Sequence, residues 1–212
     1  MRDNDSVKRG LPEASAYLNV RALPMDTYAI ERFCKRWIDK ADAYRSNDLE
    51  DLFDRFFTLF VAYNRFYSAA AELHRATVDP RQAYLLQGDR REATTVMARL
   101  IRQSRFSDAM NENPAIAAAC EAIARLLQER HFFLHSVRGT KVPDLARDTN
   151  LADGLRKHSL LSVLECLYQI RCNIFHGEKE FAPRQAKLLA PAITLLEAIV
   201  SLSRRALRDA AL

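Results

Sequence analysis

Arg171 and His176 are the residues whose types and spacing best suit chemistry on a phosphate group. They lie five positions apart in the segment YQIRCNIFHGEK, and Gly177 directly follows the histidine. A guanidinium binds phosphate oxygens in a bidentate manner, and an imidazole titrates close to neutral pH. The pair therefore suits contact with a phosphate group, provided that the fold brings the two side chains together.

Arg171 lies in the middle of an apolar helix face, which is an unusual position for a permanent cation. A buried guanidinium without a partner costs several kcal/mol. Two structural explanations are open: the side chain reaches along the surface to water, or it pairs with a buried carboxylate such as Glu72 or Glu121. The apolar residues within about 90° of it on a helical wheel are Leu161, Leu164, Leu167, Tyr168, Ile174 and Phe175.

The sequence predicts that His176 ends this helix, because Gly177 suits the left-handed position that follows a helix. The helix dipole favours an imidazolium at a C-terminus, and this alone accounts for a histidine there. The same form also suits a group that donates a proton or a hydrogen bond to phosphate. Residues five apart on an ideal helix are separated by about 140°, so convergence with Arg171 requires that the helix loosens near its end.

The apolar helix with Arg171, four intervening residues, His176 and Gly177 resembles the Arg-x4-6-His signature of HEPN (higher eukaryotes and prokaryotes nucleotide-binding) domains. Many members of that family are metal-independent ribonucleases of toxin–antitoxin, CRISPR and antiphage systems. They are typically dimers in which the Arg and His of both subunits meet in a shared cleft. The resemblance implies RNA as the substrate, a homodimer, and an antitoxin or defence-system protein as a further partner.

The resemblance also implies a reaction in which the RNA 2′-hydroxyl attacks the adjacent phosphorus, leaving a 2′,3′-cyclic phosphate and a 5′-hydroxyl. His176 would act as general base or acid, and Arg171 would stabilise charge on the non-bridging oxygens. Asn173 and Glu178 are the expected supporting residues: Asn173 would orient His176 or contact the phosphate, and Glu178 would tune the imidazole. No metal and no cofactor is required.

Two positions depart from the family pattern. Cys172 follows the arginine where many members have a polar residue such as Asn, which here comes one place later. Glu178 stands where toxins of this family usually carry a tyrosine that is modified. Regulation through that tyrosine is therefore not carried over to this chain.

Composition favours helices over strands, because the 212 residues include only 5 Gly and 7 Pro. The hydrophobic fraction of 49% is sufficient for a buried core, and the net charge of +5 permits nucleic-acid binding without demonstrating it. The four cysteines have no Cys-x-x-Cys spacing. With no apolar signal region and no run of about 18 apolar residues, we expect a cytoplasmic protein that has no membrane partner.

The sequence predicts an all-α bundle of about five to seven helices, HEPN-like in arrangement. We divide it into an N-terminal arm (1–24), an N-terminal helical part of unknown role (25–110) and a HEPN-like part (111–212), although the last two could form one domain. The strongest helical pattern begins at Leu49, with Asn47 as the expected N-cap and Glu50 completing a capping box.

Other helices are expected from about Pro80 to Arg102, with a weak point at Gly88, and from Pro114 through Leu134. The stretch 136–154 is expected to be irregular, with at most a short helical turn. Pro191 should kink the last helix or mark its start. His131 and His135 are interpreted as ordinary residues of one helix, since no third metal ligand is nearby.

Two other classes of function are compatible with the sequence. In the first, the chain is a non-catalytic HEPN-like module that binds a nucleotide, RNA or a protein and uses Arg171 as an anion anchor. In the second, it is a structural helical adaptor or antitoxin-like partner, and the motif is a coincidence. The second class predicts an intramolecular salt bridge for Arg171 and a solvent-facing His176.

Overall fold

The architecture is built from helices. The computed structural model describes residues 26–175 and 182–210. Within these two ranges there is no strand, apart from an isolated bridge between Ser136 and Pro143. The prediction of an all-α bundle is therefore confirmed, whereas the predicted arm (1–24) lies outside the described residues.

The helices are short between α2 and α6 and long elsewhere. In chain order they are α1 (Thr27–Ala41), α2 (Leu49–Thr77), α3 (Pro80–Leu85), α4 (Asp89–Arg91), α5 (Met97–Ile101), α6 (Gln103–Glu112), α7 (Pro114–Gln128), α8 (Leu145–Arg156), α9 (Leu160–Phe175) and α10 (Ala186–Ala210). A π-helical stretch, Glu92–Val96, joins α4 to α5, and a 3-10 turn, Pro183–Gln185, precedes α10.

The single helix predicted from Pro80 to Arg102 is wrong, because the structure divides this stretch into α3, α4, the π-helical stretch and α5. Gly88 has a φ of 110°, and Arg102, which directly follows α5, has a φ of 69°. Backbone with positive φ cannot continue a right-handed helix. The break at Gly88 positions Asp89 at the start of α4.

Aspartate and asparagine side chains start several of the long helices. Asp48, not the predicted Asn47, caps α2 by accepting a hydrogen bond from the N–H of Asp51 at 2.9 Å. Asn113 caps α7, accepting from the N–H of Ala115 at 3.1 Å, with Pro114 in the first turn. These side-chain oxygens satisfy amide groups that have no partner within the helix.

Helix α8 lies in the stretch that was expected to be irregular apart from a short helical turn around Leu151; the structure has a helix of 12 residues there, so the expected extent is wrong. Asp144 caps it by accepting from the N–H of Arg147 at 3.1 Å. Its buried apolar residues are Leu151, Ala152 and Leu155; Leu155 lies four and three positions after the other two, so all three face the core. The helix was overlooked because its polar residues are numerous and its apolar stripe is short.

The core forms around α2 and α10, which pack against each other; α1 packs on α2, and α7 on both α8 and α10. Aromatic residues of α2 fill its centre: Phe60 meets Tyr63 edge-on at 5.4 Å, and Tyr63 meets Tyr67 at 5.5 Å. One core cluster contains residues from both the 25–110 and the 111–212 ranges. The N-terminal helices therefore support the elements that carry the motif.

The last helix is the most apolar long segment of the described chain. The segment Pro183–Ala210 is long and apolar enough to cross a membrane by length and composition, and 56% of its most apolar window is buried inside the protein. Core helices pass the same test, so this is weak evidence for a membrane span. Pro191 lies inside α10 rather than at its start.

Candidate functional site

The predicted site residues divide between described and undescribed parts of the chain. Arg171 and Asn173 lie near the end of α9. His176 and Glu178, like Gly177, fall outside the described residues, so the geometry of the Arg–His pair stays a prediction. The described part of the site is therefore the environment of Arg171.

Arg171 extends from α9 towards α2 and α4 and remains partly accessible, with 22% of its side chain exposed. Its Nη1 lies 3.5 Å from Oδ2 of Asp89, which forms an ion pair. The guanidinium also lies over the rings of Phe60, at 5.8 Å, and Tyr168, at 5.9 Å. Aromatic faces attract a cation, so the guanidinium is held on one side by rings and on another by a carboxylate.

Asp89 is the centre of a small hydrogen-bond network. Tyr67 donates its phenolic O–H to Oδ1, and Tyr168 donates its O–H to Oδ2 at 2.9 Å. Burial raises the pKa of both phenols, and the hydrogen bonds to Asp89 raise it further. Both phenols therefore stay protonated at neutral pH and act as donors.

The guanidinium stays charged in this environment. Burial alone would lower the pKa of Arg171, but the neighbouring Cys172 and Asp89 more than compensate, and the pKa lies above its usual value. The Sγ of Cys172 lies 3.9 Å from Nη1 of Arg171. Cys172 thus contributes directly to the surroundings of the arginine, although the family pattern has a different residue type at this position.

The partner of Arg171 is neither of the two carboxylates considered from the sequence. Glu72 pairs with Arg65 at 3.7 Å, and Glu121 pairs with Arg156 at 3.2 Å. Asp89 gives no periodic signal in the sequence, and its position after Gly88 is the only local hint. The intramolecular ion pair is the feature that the structural-adaptor hypothesis expected for Arg171.

The side chain of Asn173 projects from a different side of α9 than the side chain of Arg171 does. Its amide nitrogen donates to the carbonyl of Leu134 at 3.0 Å, and its Oδ1 accepts from Nε2 of Gln169 at 2.8 Å. The side chain is buried. The structure thus joins Asn173 to the connection before α8, and does not bring it next to Arg171.

A buried acid–base pair that the sequence analysis missed lies behind Asn173. Nδ1 of His135 is 2.7 Å from Oδ1 of Asp148, and both residues are buried. The interpretation of His131 and His135 as residues of one helix is wrong, because α7 ends at Gln128 and Arg130 has a φ of 58°. The available signal was a lone aspartate on the apolar stripe of α8.

An apolar cleft lies beside this pair, between α9 and the start of α10. Asn173 and Gln185 are its polar residues, and its apolar lining comes from Phe132, Phe133, Leu134, Ile170, Ile174, Leu188 and Leu189. Elsewhere, no group of three or more His, Cys, Asp or Glu residues within 26–175 and 182–210 is arranged to hold a metal ion.

No protein-family model matches this chain, and no curated protein or solved structure matches it either. The resemblance to HEPN domains consequently rests on residues 167–179, and the function that it implies is a proposal.

Proposed function

We propose that this protein is a metal-independent endoribonuclease of the HEPN type, which cleaves RNA at a site shared by two copies of the chain. The RNA 2′-oxygen attacks the adjacent phosphorus, and the bond to the 5′-oxygen breaks. The products are a 2′,3′-cyclic phosphate and a 5′-hydroxyl. The proposal is supported by the spacing of Arg171 and His176 and by the apolar helix that carries the arginine.

The observation that carries the proposal is the partial exposure of Arg171 near the end of a largely buried helix. Most apolar residues of α9 have almost no exposed surface, whereas 22% of the arginine side chain is accessible. Asp89, the carboxylate that pairs with Arg171, is itself 49% exposed, so the ion pair lies at the protein surface, where a polyanion can approach it.

In the proposed mechanism, Arg171 stabilises the charge that builds on the non-bridging oxygens, and His176 transfers the proton of the attacking or leaving oxygen. Two guanidiniums in one shared cleft repel each other when RNA is absent. The carboxylate of Asp89, 3.5 Å from each protomer's own Arg171, reduces this repulsion. Glu178 and Asn173 are proposed as supporting residues, with Asn173 acting through the backbone at Leu134.

The proposed setting is the cytoplasm, where the enzyme acts as the toxin of a toxin–antitoxin pair or as an antiphage effector. An antitoxin or defence-system protein would then hold it inactive until it is needed. A homodimer is part of the proposal, since the cleft needs the Arg and His of both subunits.

The ion pair with Asp89 favours a second candidate, a non-catalytic HEPN-like module that binds nucleotide, RNA or protein. In that case Asp89, Tyr67 and Tyr168 fix Arg171 as a structural anchor. The two candidates differ in one outcome, which is whether bound RNA is cut.

Incubation of the purified protein with RNA in EDTA tests the proposal. We expect cleavage with 2′,3′-cyclic phosphate ends, and a loss of at least about 100-fold in rate for Arg171→Ala and His176→Ala. Helix content by circular dichroism and dimer mass by light scattering should not change. The matched control, Arg36→Ala, removes an exposed arginine of α1 and should leave cleavage intact.

Each other outcome has a defined meaning. An unchanged rate in either site variant contradicts the nuclease proposal. RNA binding without products supports the non-catalytic module. If the protein is monomeric and neither binds nor cleaves RNA, the structural-adaptor hypothesis is the one that remains.

A further inference from the structure

We infer that Tyr67, Tyr168 and Arg171 form an oxyanion site that the carboxylate of Asp89 fills in this structure, and that a phosphate group takes its place. The geometry of the site stands independently of any activity. The identification of an RNA phosphodiester as the natural ligand rests on the proposed function. Asp89 is then an internal competitor that regulates access to Arg171.

The three donors converge on one carboxylate from two helices. Tyr67 of α2 donates to Oδ1, Tyr168 of α9 donates to Oδ2 at 2.9 Å, and Nη1 of Arg171 lies 3.5 Å from Oδ2. A guanidinium with two neutral O–H donors suits a phosphate as well as a carboxylate, because both present several negatively charged oxygens. Nothing in this donor set is specific for Asp89.

The donors are held by contacts that do not involve Asp89. Tyr67 is 2% exposed and packs edge-on against Tyr63 in the core of α2. The guanidinium of Arg171 is supported by the ring of Phe60, which is also buried. Loss of the carboxylate would therefore leave the donors close to their present positions, and a preorganised site binds an anion without first being ordered.

Asp89, in contrast, lies at the surface, and its side chain meets the core through its contacts with these three donors. Its side chain is 49% exposed, and it begins a helix of only three residues. Gly88 precedes it with a φ of 110° and open space around it. Arg90 ties α4 to Glu165 at 2.9 Å, so the backbone can stay in place while the Asp89 side chain rotates towards solvent. An exposed side chain changes rotamer on the picosecond-to-nanosecond timescale.

The charges around Arg171 also agree with the displacement of the Asp89 side chain by a phosphate group. With Asp89 in place, an incoming phosphate must compete with a carboxylate that is already bound. With Asp89 rotated away, Tyr67, Tyr168 and Arg171 lose the carboxylate that they contact, and phosphate oxygens can take its place. Neutralising Asp89 should therefore strengthen phosphate binding, whereas removing a carboxylate that does not contact these three donors should leave phosphate binding unaffected.

Titration of Asp89→Ala with inorganic phosphate, followed by isothermal calorimetry, tests the inference. We expect Asp89→Ala to bind phosphate saturably and at least about tenfold more tightly than the wild type does. Chloride salt is used to keep the ionic strength constant. Asp108→Ala, which removes an exposed carboxylate of α6, is the matched control and should bind phosphate as the wild type does. Asp89→Ala combined with Arg171→Ala should lose the binding.

Three results would overturn the inference: phosphate binding in Asp89→Ala no tighter than in Asp108→Ala, binding that survives loss of Arg171, or equal binding of chloride. If Asp89→Ala does not fold, Asp89→Asn decides, because it keeps the shape and removes the charge. It must then bind phosphate more tightly than the wild type, or the inference fails.

The outcome of this titration is independent of the nuclease assay. Tight phosphate binding by Asp89→Ala without any RNA cleavage by the wild type would keep the anion site and reject the nuclease. Cleavage by the wild type without stronger phosphate binding by Asp89→Ala would keep the nuclease and reject Asp89 as a competitor.

Discussion

Nδ1 of His135 lies 2.7 Å from Oδ1 of Asp148, and this buried pair ties the connection after α7 to the first turn of α8. The same carboxylate accepts the backbone N–H of Leu134 at 3.0 Å and of His135 at 3.1 Å. The carbonyl of Leu134 in turn accepts from Asn173 of α9. One aspartate thus determines how three segments meet behind the candidate site.

Asp148→Ala should destabilise the protein by about 3 kcal/mol, because it leaves two buried amides and a buried imidazole without their acceptor. Urea denaturation followed by circular dichroism measures the loss. Asp153→Ala on the same helix removes an exposed carboxylate with one hydrogen bond of 3.4 Å, and should cost less than about 0.5 kcal/mol. Equal losses in the two variants would contradict the importance of Asp148.

Gly154→Ala should destabilise the protein, although alanine normally stabilises a helix interior by about 1 kcal/mol relative to glycine. A Cβ at this position would overlap Oγ of Ser162 and lie 2.8 Å from its Cβ, where α8 crosses α9. We expect a loss of about 2 kcal/mol from this overpacking.

Ser162→Gly should reverse much of the loss when it is combined with Gly154→Ala. A double-mutant cycle by urea denaturation measures the coupling between the two positions. Additive effects would show that the close approach of α8 and α9 is not responsible.

Stability should fall as the pH decreases from about 6.5, in part because of His74. Burial, followed by the charges of Arg99 and Arg75, lowers the pKa of this imidazole from its usual 6.5. Below pH 6.5 the unfolded chain therefore binds a proton at this position more readily than the folded protein does, and the contribution of His74 is lost as the pH falls through the folded pKa.

Melting temperatures between pH 7.5 and 5.5 test this dependence. The decrease should be smaller for His74→Gln than for the wild type. The carboxyl group of Glu31 has a pKa below 4.5, so its titration falls outside this window. Parallel curves for the variant and the wild type would contradict the assignment to His74.

Arg171→Lys should lower RNA cleavage by about 100-fold even though the charge is retained. A lysine cannot present the planar, bidentate donors of a guanidinium, and it loses the stacked contacts with Phe60 and Tyr168. Single-turnover cleavage measures the effect, with melting temperature as the check on folding. Cleavage by Arg171→Lys at the wild-type rate would show that charge alone is sufficient.

Local patterns allowed much of the helical architecture to be predicted. The apolar spacing of α2, the Asn113–Pro114 start of α7 and the apolar face of α9 are all signals within a single helix. The weak point predicted at Gly88 is where the helix breaks, but its full interruption depends on backbone conformation. The extent of α8, which Asp148 anchors, was missed. Neither feature produces a periodic pattern.

The sequence by itself determined that this protein is helical and that a cation lies within an apolar face, because helix periodicity and capping act over a few neighbouring residues. Only the tertiary structure decided that Asp89 and Tyr67 lie beside Arg171, and that Asp148 meets His135. These partners are distant in the chain, and their contacts arise from how α2, α4, α8 and α9 pack. Packing depends on the shape and volume of all the side chains together, which no local spacing specifies.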